Sequence, residues 1–114
     1  MPEMLKPTSA IMGAGLGKDV ALITDGRFSG VSHGILVGHI CPEGAKGGPI
    51  AAVRDGDIIV INPSTRRLDL DIPAEELRAR MAGLALPALS DVSPGSVLDK
   101  YRRLVSSAHH GCVL

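Results

Sequence analysis

The segment Val20-Ala-Leu-Ile-Thr-Asp-Gly-Arg-Phe-Ser-Gly30 decides the fold, because it joins a strand signal directly to a turn signal. The unbroken apolar run 20–24 is typical of a buried strand. The glycines that follow it allow a sharp bend, and the small residues after Ser29 leave room for a ligand at its hydroxyl. The order Gly-x-x-Ser-Gly is not that of a nucleophile elbow. From the residues alone, Ser29 is therefore more typical of a helix cap or a turn than of a nucleophile.

Short strands separated by turns are predicted on the C-terminal side of this segment. The run 35–40 fits either a strand or a buried helical turn. The runs 50–53 and 58–61 predict two strands around an Asp-Gly turn at 54–57. After a second turn at 62–65, residues 67–72 alternate between polar and apolar, which predicts a half-buried strand.

Two helices are predicted after these strands. Pro73 suits a first helical position, and Gly83 suits a stop, so the first helix spans 73–82. The second begins after Ser93-Pro94 and carries an apolar stripe between residues 97 and 108. Near the N-terminus, glycines 13, 15 and 17 predict a tight turn, because their spacing fits no nucleotide-binding loop. Together these elements predict a single mixed α/β domain over residues 1–114, a β-barrel of short strands flanked by helices.

Composition excludes several classes of protein. Twelve basic residues balance twelve acidic ones, which argues against a nucleic-acid partner. The apolar runs are too short to cross a membrane, and no signal peptide is visible at the N-terminus. Cys41 and Cys112 form neither a disulfide framework nor a zinc pattern, so we expect reduced intracellular thiols.

One cluster has the composition of a weak metal site. His39, Cys41 and Glu43 would share one side of an extended segment, because they alternate along the chain. Without a second cluster, solvated or core-satisfied side chains are the more ordinary interpretation. The pair His109-His110 is interpreted in the same way, as part of a frayed terminus.

Several independent motifs, in order along nearly the whole chain, resemble the C-terminal domain of dihydroxy-acid dehydratase. They are Pro2-Glu-Met-Leu5, Pro7-Thr-Ser-Ala-Ile-Met-Gly-Ala-Gly-Leu-Gly17, Leu22-Ile-Thr-Asp-Gly-Arg-Phe-Ser-Gly30, Ser32-His-Gly34, Gly38-His-Ile-Cys-Pro-Glu43, Gly47-Gly-Pro-Ile50, Asp55-Gly-Asp57 and Ser106-Ser-Ala108. The resemblance implies a barrel similar to the swivelling domain of aconitase-like dehydratases. It also implies a hydro-lyase that converts 2,3-dihydroxy-3-methyl acids to 2-keto acids in valine and isoleucine biosynthesis.

The resemblance implies roles for particular residues. Ser29 matches the serine proposed as the base, and Glu3 matches a glutamate that completes a Mg²⁺ shell. Arg27, Gly30 and His33 flank the same turn, and we expect them to contact substrate. The family also uses an iron–sulfur cluster, whose ligands belong to an N-terminal domain that this chain does not contain. Alone, the chain is therefore expected to be inactive.

The resemblance also implies partners and a location. These are the N-terminal domain of the same enzyme, a small 2,3-dihydroxy acid and, at full length, a second copy in a homodimer. The compartment would be a mitochondrion or plastid in a eukaryote and the cytoplasm in a bacterium. Two alternatives stay open, a domain of a sugar-acid dehydratase acting on a phosphogluconate-type substrate and a non-catalytic binding module. The chain departs from the family pattern at His109 and Leu114, near its end.

Overall fold

The first helix of the chain was not anticipated from the sequence. In the computed structural model, which describes residues 4–28, 33–85 and 92–114, helix α1 spans Leu5–Gly13. Its end confirms the predicted glycine turn. Gly15, at φ +76°, donates its N–H to the Met12 carbonyl, and the Leu16 N–H donates to the Ile11 carbonyl, both at 3.0 Å. This pair of bonds closes a helix end in which only glycine adopts the left-handed conformation without strain.

A parallel pair of strands carries the segment from which the fold was predicted. Strand β1 (Ala21–Ile23) pairs with β2 (Ile35–Val37), with Leu22 opposite Leu36. The strand predicted at 20–24 is present over 21–23, but it is not buried: Ala21 is exposed, and Leu22 and Ile23 are half-buried. The run 35–40, which fitted a strand or a helical turn, begins as a strand.

A hairpin forms the second sheet. Strand β3 (Ile59–Asn62) pairs antiparallel with β4 (Arg67–Leu70), in a register that puts Ile61 opposite Leu68. The side-chain oxygen of Asn62 accepts the N–H of Thr65 at 3.1 Å and closes the connecting turn. The turn predicted at 62–65 and both flanking strands are thus confirmed, with β4 ending at Leu70.

The strand predicted at 50–53 is wrong. Residues Pro49–Ala52 form a 3₁₀ helix with Pro49 at its start. Proline presets the helical φ and lacks the N–H that a strand ladder would need, so the apolar run after it coils instead of extending. The Asp-Gly turn at 54–57 does form, with Gly56 at φ +89° and the Arg54 N–H donating to Asp57 Oδ2 at 2.7 Å. It connects the 3₁₀ helix to β3 instead of joining two paired strands.

Two further helices match the predictions with shifted ends. Helix α2 spans Ala74–Ala82, with Pro73 as its N-cap and Gly83 as its C-cap. Helix α3 spans Val97–Leu104 and begins three residues after Ser93-Pro94, because the Ser96 hydroxyl accepts the Asp99 N–H at 3.2 Å. The helix stops before Ala108, where a separate 3₁₀ helix begins.

The described residues form a mixed helix-and-strand fold with two separate two-stranded sheets. No closed barrel is present among them, so the predicted barrel is not confirmed. Ala52 is the only fully buried apolar residue among those described, and the radius of gyration of 15.9 Å exceeds the about 13 Å expected for a compact domain of about 100 residues. Much apolar surface is therefore left open. Across the described ranges, no helix is long and apolar enough to span a membrane.

Candidate functional site

The turn after β1 is held by hydrogen bonds to β2 and to itself. The Gly26 N–H donates to Thr24 Oγ1 at 3.0 Å, and the Gly26 carbonyl accepts the His39 N–H at 2.8 Å. The chain therefore leaves the parallel pair along a defined path as far as Phe28. Three of the predicted site residues, Glu3, Ser29 and Gly30, lie outside the described residues.

A glycine directly after β2 makes room for the aromatic ring that precedes Ser29. A Cβ at Gly38 would lie 3.2 Å from Cδ2 of Phe28 and 3.4 Å from the Gly26 carbonyl oxygen. Both distances are at or below ordinary van der Waals contact, so a side chain at this position would press on the turn. The Phe28 ring thus lies over Gly38, a contact that the sequence analysis missed.

A carboxylate in the turn binds a distant backbone. Asp25 Oδ2 accepts the Gly44 N–H at 2.8 Å, which joins the turn to the 3₁₀ helix Gly44–Lys46. A Cβ at Gly44 would lie 3.3 Å from the same oxygen, so the approach suits a residue without a side chain. Asp25 was not singled out from the sequence, although its place in the turn motif was a usable signal.

Glu43 connects this region to the C-terminal segment. Its Oε1 accepts the Ala108 N–H at 2.8 Å and the Ser107 hydroxyl at 3.1 Å. The Ala108 N–H, the first of several donors and charges near it, holds the pKa of the Glu43 carboxyl below its ordinary value. The second oxygen, Oε2, is buried and has no hydrogen-bond partner among the described residues. Glu43 is thus an ionised carboxylate that is held in place through one of its two oxygens, Oε1.

An open cleft of about 440 Å³ lies beside the turn. Its lining mixes acidic, basic, aromatic and thiol side chains from three stretches of the chain. They are Asp25, Gly26, Arg27, His39, Glu43, Tyr101, Ala108 and Cys112. Arg27, a predicted substrate contact, is exposed and lines this cleft.

His33 lies in a different environment. It is exposed and lines another cleft, formed with the end of α1 and the glycines that follow it, Gly15 and Gly17. Gly34 beside it has φ +96°, and a Cβ there would lie 2.7 Å from the Gly17 carbonyl oxygen. The described structure therefore does not bring Arg27 and His33 to one cleft, and their substrate roles stay predictions.

The cluster His39, Cys41 and Glu43 does not act as one set of ligands. His39 has φ +54°, which breaks the extended alternation on which the metal interpretation depended. Glu43 Oε1 accepts a long hydrogen bond from the Cys41 thiol, at 3.9 Å, and two shorter ones from residues 107 and 108. No group of three metal-ligating side chains occurs in the described ranges, and both cysteines are unbridged.

Comparison with known proteins places the chain in a family. The model for "Dihydroxy-acid/6-phosphogluconate dehydratase C-terminal" matches residues 1–112. The chain is 62% identical to dihydroxy-acid dehydratase astD, mitochondrial, of Aspergillus terreus, over 99% of this chain and 19% of that protein. It is 55% identical to the mitochondrial dihydroxy-acid dehydratase of Saccharomyces cerevisiae, over 100% of this chain and 19% of that protein. It is also 57% identical to the chloroplastic dihydroxy-acid dehydratase of Arabidopsis thaliana, over 99% of this chain and 18% of that protein.

The chain thus spans about one fifth of the length of the curated relatives it matches. Within that fifth, the family match covers residues 1–112, from the segment before α1 to the loop after α3. The chain belongs to the dihydroxy-acid/6-phosphogluconate dehydratase C-terminal family.

Proposed function

We propose that this chain is the C-terminal domain of a dihydroxy-acid dehydratase, a hydro-lyase that turns 2,3-dihydroxy-3-methyl acids into 2-keto acids for valine and isoleucine synthesis. One observation carries this proposal. Fungal, plant and bacterial relatives that bear the dihydroxy-acid dehydratase name match over essentially the whole chain at 55–62% identity. Such identity over the full span favours the branched-chain substrate over the sugar acid in the family's name.

The reaction needs a proton to leave C2 and a hydroxyl to leave C3. We propose that the Ser29 oxygen takes the C2 proton, and that the electron pair of that C–H bond forms the C2–C3 double bond as the C3–O bond breaks. The departing hydroxide takes the proton back from Ser29 and leaves as water, which regenerates the base. The resulting enol then becomes the 2-keto acid. In sequence, Ser29 follows directly on the turn 24–28, in which Thr24 and Gly26 are hydrogen-bonded to Val37 and His39.

The residues around the turn supply binding. Arg27, in the cleft beside the turn, is suited to the substrate carboxylate, because a guanidinium presents two parallel donors to its two oxygens. We also propose Gly30 and His33 as substrate contacts, although His33 lines a different cleft from Arg27 in this chain. An alkoxide is a strong base and an uncharged serine is a weak one, so Ser29 needs activation by positive charge nearby.

Metal cofactors are assigned to the complete protein and not to the described residues, which form no metal site. We propose that an iron–sulfur cluster and Mg²⁺ serve the full-length enzyme. The cluster ligands would lie outside this chain, and Glu3 would contribute a carboxylate to Mg²⁺, a hard cation that prefers oxygen. Cys41 and Cys112 are not cluster ligands in this proposal.

The principal partner would be the remainder of the enzyme. Large apolar side chains on α3 and the β3–β4 hairpin are exposed in this chain, among them Val97, Leu104 and Val60. We propose that the N-terminal domain covers these side chains and completes the barrel. A homodimer of the complete enzyme is part of the same proposal.

The location follows the relatives. Those reported above are mitochondrial and chloroplastic, and others are bacterial. We propose an intracellular protein, mitochondrial or plastid in a eukaryote and cytoplasmic in a bacterium. Because basic and acidic residues are balanced and the proposed substrate is small, we propose neither a nucleic acid nor a membrane as a partner.

The decisive experiment uses the full-length protein that contains this segment, reconstituted without oxygen. The wild type should convert 2,3-dihydroxy-3-methylbutanoate to 2-ketoisovalerate, and Ser29→Ala should lower turnover by about 10²- to 10⁴-fold, the usual contribution of a positioned base. The same preparation is then offered 6-phosphogluconate. Turnover of the sugar acid alone would assign the chain to the other branch of the family, and an inert, fully loaded enzyme would favour a binding module.

A further inference from the structure

Two hydrogen-bonded carboxylates connect the C-terminal segment to the turn that leads to Ser29. At one end, Glu43 Oε1 holds Ser107 and Ala108, which lie 64 and 65 positions further along the chain. At the other end, Asp25 Oδ2 holds the N–H of Gly44, which is bonded covalently to Glu43. The two links thus share a single peptide unit.

We propose that Glu43 is a positioning residue for dehydration, which holds the turn 24–28 in place by anchoring it, through Gly44 and Asp25, to the C-terminal loop 106–113. This inference rests on the proposed function, because it assumes that Ser29 does chemistry. It assigns to the C-terminus of the chain a role in the reaction that its distance in sequence does not suggest.

The peptide unit between Glu43 and Gly44 makes the coupling direct. A peptide bond is planar and resists rotation, so a shift of the Glu43 carbonyl carries the Gly44 N–H with it. Asp25 and Ala51 approach Gly44 closely, because a Cβ at this position would lie 3.3 Å from Asp25 Oδ2 and 3.4 Å from the Ala51 Cβ. A displacement at Glu43 therefore reaches Asp25 within one residue.

The loop that Glu43 holds is itself closed. The Ser106 N–H donates to the Val113 carbonyl at 2.8 Å, and the Cys112 N–H donates to the Ser107 carbonyl at 3.2 Å. These bonds make the C-terminal loop a small rigid unit instead of a trailing end. It is therefore able to serve as a fixed anchor for Glu43.

The Glu43 carboxylate is held in one position by its hydrogen bonds and by its burial. One oxygen accepts from the Ala108 N–H, the Ser107 hydroxyl and, at 3.9 Å, the Cys41 thiol, and the other is buried without a donor among the described residues. A buried carboxylate oxygen without a hydrogen-bond donor is unfavourable in free energy. The hydrogen bonds of the other oxygen, Oε1, hold the carboxylate in this position in spite of that free-energy cost. Exposed ion pairs on α2, such as Glu75 with Arg78, lack this burial and make suitable controls.

The test compares variants of the full-length enzyme. Glu43→Ala removes the acceptor, Glu43→Gln keeps a carbonyl oxygen for the same donors, and Glu75→Ala removes an exposed carboxylate of equal size. We measure kcat and KM for the dihydroxy acid, and hydrogen exchange of peptides that cover 24–28 and 105–113. A reacting group that is misplaced by about 1 Å lowers the reaction rate by up to about 100-fold. We therefore expect Glu43→Ala to lower kcat about 10- to 100-fold and to leave KM nearly unchanged.

Glu43→Gln should recover most of that loss, and Glu75→Ala should match the wild type. Exchange should rise in both peptides in Glu43→Ala, although only one of them contains a direct partner of Glu43. If the alanine variant does not fold, Ser107→Ala, which removes one donor, replaces it and should show a smaller change of the same pattern.

Two results would overturn the inference. One is a Glu43→Ala enzyme with wild-type kcat, and the other is faster exchange confined to 105–113. The proposed function fails separately, if the wild type itself does not dehydrate the dihydroxy acid. In that case the exchange measurement still decides whether Glu43 holds the turn.

Discussion

The guanidinium of Arg80 in α2 binds both carboxylate oxygens of Asp57 in the turn before β3, with N–O distances of 2.6 and 3.0 Å. The same guanidinium donates to the carbonyl of Ala52, the buried residue of the 3₁₀ helix, at 3.2 Å. One side chain thus joins α2 to the segment whose strand prediction was wrong. Its planar fork matches a carboxylate in a way that a lysine ammonium does not.

Arg80→Ala should lower the melting temperature of the full-length protein and speed hydrogen exchange in residues 49–57. The change leaves Asp57 with only the Arg54 N–H and removes the guanidinium donor of the Ala52 carbonyl. The melting temperature of Arg80→Lys should lie between those of the alanine variant and the wild type. Arg78→Ala removes an exposed partner of Glu75 and serves as the control. Equal effects of the changes at positions 78 and 80 would contradict this interpretation.

Gly48→Ala should be among the most damaging single changes in this chain. A Cβ at Gly48 would collide with the carbonyl oxygen of Pro42, a backbone atom that has no side-chain freedom to move away. Gly13 offers a matched control, since a Cβ there meets nothing within 4 Å and its φ is not positive. Gly13→Ala should be neutral or stabilise by about 0.4–1 kcal/mol, because alanine loses less backbone entropy on folding.

Both glycine variants are compared by soluble yield and thermal unfolding of the full-length protein. We expect Gly48→Ala to have a soluble yield and a melting temperature far below those of the wild type. Gly13→Ala should equal or exceed the wild type in both. Wild-type stability in Gly48→Ala would show that the approach of Pro42 is not required.

The contact of Glu43 with the C-terminal loop predicts a pH dependence of known sign. The Ala108 N–H lowers the pKa of Glu43 in the folded state below its ordinary value of 4.5. A carboxyl with a lowered folded pKa stabilises the protein above its unfolded pKa, and that stabilisation is lost as the pH falls through the folded pKa. The stability difference between the wild type and Glu43→Gln should therefore be constant near neutral pH and shrink below about pH 4.5.

Thermal unfolding of both proteins between neutral and acidic pH measures this difference. The subtraction removes the contribution of other carboxyls, such as Asp57 and Asp99, whose pKa values are also lowered. A difference that grows on acidification would reverse the sign and rule out an ionised Glu43.

Arg27 should govern substrate binding more than turnover. Loss of a charge-assisted contact to the substrate carboxylate is expected to raise KM about tenfold or more in Arg27→Ala. Arg27→Lys should recover part of the loss, since an ammonium supplies charge without the paired donors. Steady-state kinetics of the full-length enzyme check this, and an unchanged KM with a lowered kcat would move Arg27 from binding to the chemical step.

The exposed face of α3 predicts a contact with the remainder of the enzyme. Val97 is 83% exposed and Leu104 is 55% exposed in this chain. If the N-terminal domain covers them, Leu104→Glu should abolish soluble full-length protein, because it buries a charge without a partner. Lys100→Glu, on the same helix, should be tolerated.

The 114-residue chain alone should also bind a hydrophobic dye that the complete enzyme does not bind. A soluble, active Leu104→Glu enzyme would show that the face of α3 stays open to solvent.

The sequence by itself determined the elements whose signals are local. The apolar run at 20–24, the alternation at 67–72 and the proline and glycine at the ends of α2 each act within a few residues, so they could be interpreted without the rest of the chain. The family, and with it the roles predicted for Ser29 and Arg27, also followed from local motifs. Helix α1 was missed because its weak amphipathic pattern was outweighed by the glycines that end it.

Only the tertiary structure decided which distant groups meet. An apolar run such as 50–53 has no intrinsic partner, and the proline before it together with packing against α2 made it a 3₁₀ helix. Likewise, nothing near Glu43 in sequence indicates that its carboxylate binds Ser107 and Ala108 and not a metal shared with His39. Side-chain hydrogen bonds over such separations depend on how the whole chain is packed, and local periodicity carries no information about that packing.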